Sequence, residues 1–358
     1  MTSVNLLVIG GGPAGLSAAA MFSRLRRSCL IYDSGSYRNA TTLHSHTISG
    51  YEGVDPAIYR QTLRGQLKDW YSEKTEWRKG KIVSLLKVEG GEGGFEAIDE
   101  EGREIKAKKV ILATGVKDRL PDIPGMAEQW GRRVIHCIFC HGTETAKHPF
   151  AFLYTKANAP MNAKMVEKML TMWTGLDHEP RYILANGIDV DTEEGRKDAG
   201  FEKYHDLVQQ KGYKYITSAI TSVKEDISIS TSALEITFGT THPPISVHSM
   251  LVFPEKITPS TDAEPLLTEN FLQAPLGAMG IIAPPKPGRW EGTGVPFRIG
   301  DDPRTEVRGL FWAGNSGCAT GNVTVSVAQG QLAGAMAGDE LGHDELMSDI
   351  HANHNGVQ

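Results

Sequence analysis

At 358 residues, 40% hydrophobic and 22% charged, the chain is long enough for one large domain or two ordinary ones with buried cores. Its 37 Lys and Arg against 43 Asp and Glu give a net charge of −6 without a basic run, which argues against a nucleic-acid surface. Four cysteines, Cys29, Cys137, Cys140 and Cys318, are too few for a disulfide scaffold, while 39 glycines point to tight βα turns.

Met1 to Ser23 carry no charged side chain, but there is no basic n-region. Gly10-Gly11-Gly12-Pro13 breaks the apolar stretch, and Arg24, Arg26 and Arg27 follow at once. No later stretch reaches the roughly 18 apolar residues of a membrane span. The end, Asn355-Gly356-Val357-Gln358, matches no retention or lipidation signal. A soluble cytoplasmic protein without membrane or nucleic-acid partners is expected.

In chain order, Val4 to Ile9 reads as a buried parallel strand, Leu16 to Leu25 as a helix, and Cys29 to Tyr32 as a strand closing at Asp33. Gln61 to Tyr71 has helical spacing. Lys81 to Val88 and Gly94 to Ile98 alternate as strands about the turn Glu89 to Gly93, and Lys109 to Ala113 is a further strand. Leu120 to Gly125 reads as a linker, because its two prolines disfavour helix and central strand. Beyond it, Ala151 to Tyr154, Tyr182 to Ala185, Leu234 to Phe238 and Met250 to Phe253 read as strands, and Asn162 to Trp173 as a helix. Leu310 to Ala313 is a last strand and Val323 to Leu341 a small-residue-rich helix. The acidic tail after Gly342 is expected to fray. There is no internal repeat.

Gly10-x-Gly12-x-x-Gly15 stands between the first strand and helix, with Asp33 about 20 residues on. One glycine makes the tight turn, the next admits a pyrophosphate to the backbone, and the third lets helix and strand pack closely. The helix N-terminus offers free N–H groups and partial positive charge to phosphates, and Asp33 can accept from a ribose hydroxyl. An ordinary βα turn is the alternative.

The form Gly10-Gly11-Gly12-Pro13-Ala14-Gly15 resembles FAD-binding flavoproteins with two dinucleotide domains, as do Ala113-Thr114-Gly115 after a strand and the late Phe311-Trp312-Ala313-Gly314-Asn315. Asn315 stands where that family usually has Asp; it keeps a carbonyl acceptor for a ribityl hydroxyl and loses the charge. The resemblance implies that the helix after Asn322, opening at Val323, aims its positive end at the flavin's pyrimidine edge.

His136-Cys137-Ile138-Phe139-Cys140-His141 is the chemical centre. Two thiols at this spacing can form a disulfide and exchange with an external dithiol, and neighbouring imidazoles can lower a thiolate pKa or accept a proton. The same residues also match a c-type haem attachment motif, a zinc site completed by His141 and His148, or two inert structural thiols. Co-occurrence with a flavin-type fold favours the redox dithiol.

These motifs, in this order over nearly the whole chain, resemble the low-molecular-weight thioredoxin reductase family. Tyr37-Arg38-Asn39 with His44 and His46, and the Cys-x-x-Cys-His-Gly run, look closest to fungal gliotoxin-type dithiol oxidases, which use FAD and O2 to close disulfides in small dithiol metabolites. The resemblance implies an α/β fold, with a Rossmann-like FAD domain in residues 1–118 and 256–345. It also implies an inserted, degenerate NADPH-like domain in 119–255, a tail in 346–358, and a homodimer. It places Cys140 against the flavin C4a and Cys137 toward the substrate, with His141 where the reductases carry an acid/base Asp. Arg38, Asn39, His46 and Ile82 join the implied FAD contacts.

A reductase of that family carries a second glycine fingerprint after its Cys pair. Between Gly142 and Gly175 this chain has no glycine. The strand Phe150 to Tyr154 runs into Thr155-Lys156-Ala157-Asn158-Ala159-Pro160, whose side chains would hold a pyrophosphate off the backbone. No Arg cluster for a 2′-phosphate stands near Tyr182 to Asp191. The expectation is an FAD-dependent oxidase of an epidithiodiketopiperazine-like dithiol that yields H2O2. The alternatives are an NAD(P)H-dependent disulfide reductase and a flavin-bound redox sensor. Cys29 and Cys318 are expected to be structural. Trp173, His178 and the loop Leu276 to Pro287 are candidate pocket residues, with a core role the alternative for Trp173.

Overall fold

Leu6 to Ile9 are each 4% exposed or less, as a parallel strand covered on both faces requires. In the computed structural model they end strand β1 (Thr2–Ile9), followed by α1 (Pro13–Ser23), β2 (Cys29–Asp33), α2 (Pro56–Tyr71), β3 (Thr75–Lys79), β4 (Ile82–Val88), β5 (Gly94–Asp99) and β6 (Glu104–Leu112). Next come β7 (Val116–Arg119), α3 (Met126–Gln129), β8 (Val134–Ile135), α4 (Ile138–Thr145), β9 (Phe150–Leu153), α5 (Ala159–Thr171) and β10 (Arg181–Leu184). Then follow α6 (Glu193–Ala199), α7 (His205–Gln210), β11 (Tyr213–Ile216), β12 (Ser222–Asp226), β13 (Ala233–Thr237), β14 (Ile245–Val247), β15 (Ser249–Leu251) and β16 (Lys256–Pro259). Strand β17 (Leu310–Trp312) and helix α8 (Val323–Asn355) close the chain. The structure describes residues 1–88, 94–200, 202–226, 233–259, 302–305, 307–316 and 322–355. The turn Glu89 to Gly93, Cys318 and the loop Leu276 to Pro287 lie outside them.

The chain divides into two compact units. One takes Met1–Ala40, Ala57–Lys117 and Ile257–Gln358; the other takes Thr41–Pro56 and Asp118–Lys256. In the first, the sheet order is β3-β2-β1-β6-β5-β4. Strand β6 serves two neighbours: Glu104 to Ala107 pair antiparallel with β5, and Val110 to Leu112 pair parallel with β17. One face packs Leu7, Tyr32, Leu85, Phe95 and Trp312, and the other packs Val8, Phe22, Ile31, Phe311 and Ala337. In the second unit the sheet order is β11-β10-β9-β15-β8, all parallel, beside an antiparallel β12-β13-β14.

Helix α8 does not fray after Gly342, contrary to the expectation for the tail. Lys109, only 3% exposed, pairs with Glu340 and Asp344 at 2.6 Å each, Arg308 also holds Asp344, and Arg27 holds Glu345. These cations keep the acidic segment helical. Against α1, a Cβ at Gly330 would stand 2.1 Å from the Ala14 carbonyl oxygen, and one at Gly334 2.4 Å from that of Ala18. Only glycine allows the two helices to lie this close. Among the described residues no helix is long and apolar enough to cross a membrane.

Candidate active site

In the first unit, the turn after β1 folds as its glycines dictate. Gly10 has φ +120°, and a Cβ there would lie 2.2 Å from the Ala113 carbonyl oxygen; one at Gly15 would lie 1.9 Å from that of Gly10. Gly12, the residue before Pro13 at the start of α1, would meet nothing within 4 Å, and no side chain caps the helix. Uncapped N–H groups facing open space suit the diphosphate of a dinucleotide. At the end of β6, Thr114 Oγ1 is buried without a hydrogen-bond partner, and Gly115 has φ +70°. That orphaned hydroxyl beside the glycine turn fits a polar ligand too.

Asp33, 1% exposed, accepts from the Tyr37 hydroxyl at 2.6 Å, the Gly35 N–H at 2.9 Å, Trp77 Nε1 at 3.3 Å and Arg64 at 3.4 Å. Burial, reinforced by the Asp33 carboxylate, pushes the Tyr37 hydroxyl up to about 12, so it stays a donor. Three of these donors sit on Oδ2 and only the Gly35 N–H on Oδ1, which keeps an acceptor site for a ribose hydroxyl. Arg38 and Asn39 are half-buried, and Asn39 Oδ1 accepts from Arg60, whose guanidinium lies 3.9 Å over the Tyr37 ring. Ala14 and Ala113 are buried, and Ile82 sits in the core. Asn315 Oδ1 accepts from Ser326 Oγ at 3.5 Å; Asn322 Oδ1 caps α8 just before Val323 by accepting from the Val325 N–H.

In the second unit, Cys137 precedes α4 and Cys140 lies in its first turn; the two form a disulfide with Cα atoms 5.3 Å apart. Both are half-buried, Ile138 anchors the turn, and Phe139 between them is 70% exposed. A thiolate released here is stabilised by the positive end of α4. The buried ring nitrogens of His141 meet no side-chain partner, and the Cys137 backbone lies beside them. Burial lowers its pKa, opposed by the Cys137 backbone and the Glu144 carboxylate, so at neutral pH it is a free base. His136 stacks on Trp130, ring centroids 5.1 Å apart.

His46 stands in Thr41–Pro56, with Nδ1 2.6 Å from Glu52 Oε1 and Nε2 2.8 Å from Glu144 Oε1. His44 Nδ1 lies 3.0 Å from the Gly53 carbonyl oxygen. Glu52 and Glu144 escaped the sequence reading. Glu144 follows Cys140 by four residues, the helical spacing that could have flagged it. Cys29 is buried in β2 and its thiol is pushed far above the usual range, which makes it inert. Among the described residues no three His, Cys, Asp or Glu side chains converge on a metal position. Trp173 and His178 belong to the unit's interior rather than to an open pocket.

His178 stacks on Phe150 at 4.2 Å and lies 2.8 Å from Thr145 Oγ1 at the end of α4. Burial, then the Arg181 charge, lowers its pKa to about 4. The unfolded chain takes up this proton below about pH 6.5, while the folded one resists until about 4, so stability falls as the pH drops through that window. We expect a loss on the order of 2 kcal/mol from this residue between pH 7 and 4.5. Urea titrations at both pH values should show His178→Gln losing that much less than the parent; equal losses would remove His178 as the cause.

The connection from β9 to α5 is closed by its own side chains. Asn162, fully buried, donates to the carbonyls of Thr155 at 3.0 Å and Ala199 at 3.1 Å. Asn158 donates to Phe253 at 2.9 Å, and a Cβ at Gly200 would lie 2.1 Å from the Ala159 carbonyl oxygen.

Residues 4–159 match the family model described as pyridine nucleotide-disulphide oxidoreductase. Over 141 residues the chain is 45% identical to thioredoxin reductase tcpT of Claviceps purpurea, a match covering 39% of this chain and 43% of that one. This match thus takes in less than half of that relative. Over 344 residues, 95% of this chain and 97% of the other, it is 30% identical to thioredoxin reductase aclD of Aspergillus oryzae. The solved structure of an oxidoreductase from Agrobacterium tumefaciens superposes with a TM-score of 0.73 at 25% identity, over 94% of this chain and 97% of that one. Two nucleotide-type sheets and an end-to-end relative agree: the chain belongs to the thioredoxin reductase-like branch of the pyridine nucleotide-disulphide oxidoreductases.

Proposed function

We propose that the protein is an FAD-dependent dithiol oxidase that closes a disulfide within a small metabolite and delivers the electrons to O2 as H2O2. The observation that carries this reading is the connection from β9 to α5. There Asn158 and Asn162 fill the turn that a second glycine fingerprint would leave open to NAD(P)H. FAD would be held by Gly10, Gly12, Pro13, Ala14 and Gly15 at its diphosphate, with Asp33 for the ribose and Thr114 and Asn315 as further polar partners. When bound it supplies a two-electron acceptor that O2 can reoxidise.

The chain's own chemistry is thiol–disulfide exchange. Neutral His141 takes a proton from one substrate thiol, and the thiolate attacks Cys137 Sγ. The Cys137–Cys140 bond breaks, and Cys140 leaves as a thiolate on the helix N-terminus. The second substrate thiol then attacks its own mixed disulfide and frees Cys137. The substrate has lost two electrons and two protons, and the cysteine pair holds the electrons. Exposed Phe139 offers an apolar plate for a compact ring such as an epidithiodiketopiperazine-like dithiol. A cytoplasmic homodimer serving secondary-metabolite biosynthesis completes the proposal.

The relatives' designation as thioredoxin reductases favours the alternative, an NADPH-dependent disulfide reductase. Anaerobic spectroscopy separates the two. A small dithiol should bleach the visible flavin band of the purified protein and NADPH should leave it unchanged; rapid bleaching by NADPH would install the reductase reading instead.

A further inference from the structure

The imidazole of His46 is gripped at both ends by carboxylates, Glu52 at 2.6 Å and Glu144 at 2.8 Å. Satisfying both contacts takes one proton more than a neutral imidazole and two carboxylates hold: either both ring nitrogens carry hydrogen, or Glu144 does. Glu52 is not the holder. The His46 ring and the Thr47 N–H keep its carboxyl below the usual range. His46 is the most buried of the three, its side chain 19% exposed between Glu144 at 44% and Glu52 at 67%. Glu144 sits on α4 three residues after His141 and four after Cys140, on the same face of the helix. Glu144 and His46 both act electrostatically on His141, which also meets the Cys137 backbone.

We infer that Glu144 and His46 are positioning residues that act through His141, passing the proton it takes from the substrate thiol outward to Glu52 and water. The inference rests on the dithiol reading of Cys137 and Cys140. In the exchange step the thiol S–H bond breaks, its proton goes to His141, the new sulfur–sulfur bond forms at Cys137, and Cys140 leaves with the electron pair. His141 must then shed its proton before it can serve the second thiol. When the extra proton sits on Glu144, Glu144 hands it to Nε2 of His46 as Nδ1 releases its hydrogen to Glu52, and the emptied Glu144 carboxylate receives the proton of His141. Glu52, a stronger acid than usual, returns its proton to water. Net charge is unchanged, and the ring hydrogen, now on Nε2, returns to Nδ1 by exchange with water before the next pass.

The test reads the cysteine pair alone. Oxidised protein is mixed with dithiothreitol under nitrogen, quenched with a maleimide at intervals, and the added labels are counted by intact mass. We expect E144Q, E144A and H46N to open the Cys137–Cys140 disulfide about 10-fold or more slowly than the parent at pH 7. FAD content and melting temperature should be unchanged in E144Q and E144A, and added imidazole should restore E144A. Parent-like rates in E144Q and H46N overturn the relay, and so does slowing that imidazole does not relieve, because a packing role cannot be rescued by a soluble base. Since neither flavin colour nor O2 enters the readout, the oxidase reading can fail while the relay stands, and the reverse.

Discussion

Replacing either Cys137 or Cys140 with serine is expected to lower dithiol turnover by about 1,000-fold or more, with FAD still bound. A single remaining thiol cannot form the Cys137–Cys140 bond, so the protein has no internal oxidant to offer the substrate. The flavin should stay because the cradle from Gly10 to Gly15 belongs to the first unit and the cysteines to the second. The two variants should differ in one respect. On the proposed assignment of Cys137 to the substrate, Cys140→Ser should be labelled by a dithiol activated as a mixed disulfide, whereas Cys137→Ser should not. Oxygen uptake and flavin absorbance measure both effects. Normal turnover in Cys140→Ser would remove that residue from the chemistry.

Gly330→Val should destabilise the first unit by at least about 3 kcal/mol. The added Cβ would stand 2.1 Å from the Ala14 carbonyl oxygen, and backbone on both sides leaves nothing that yields cheaply. Helix α8 must shift away from α1, and Ala14 lies inside the glycine turn that opens α1, so bound FAD should fall along with the melting temperature. Gly342→Ala is the matching control. It sits in the same helix with nothing within 4 Å of its Cβ position and should gain about 0.5–1 kcal/mol from helix propensity. A Gly330→Val protein that melts within about 2 °C of its parent would show that the close approach bears little energy.

Apolar runs made the buried strands readable: β1, β2, β9, β10 and β17 all lie within a residue or two of their sequence positions. The glycine fingerprint and the cysteine pair were equally plain, because each needs particular residues at a fixed local spacing. Strand β3, Thr75-Glu76-Trp77-Arg78-Lys79, was not. It is an edge strand with three exposed residues, and only its pairing with β2 makes it a strand. Helix α4 is eight residues long, too short for periodicity to speak, and its role comes from the cysteines it carries. The grouping of Thr41–Pro56 with the second unit is long-range, so the contact of His46 with Glu144 could not be read from neighbours in sequence, and neither could the Arg64 and Trp77 donors on Asp33. Helix α8 outran its forecast because Lys109, Arg308 and Arg27, distant in the chain, neutralise its acidic end. Gly330, Gly334 and Gly338, four residues apart, form the face that this helix turns to α1 and the Leu25 that follows it.

The double pairing of β6 also bears on biosynthesis. Its second half waits for Leu310 to Trp312, and α1 waits for Gly330 and Gly334, so the nucleotide cradle near the start of the polypeptide is finished only when the last tenth has been translated. The portion from Asp118 to Lys256 needs only the earlier Thr41–Pro56 to be whole and can mature on the ribosome. A prematurely terminated product would thus carry the sulfur pair on a settled scaffold beside an open sheet, a species for chaperones or proteases to remove.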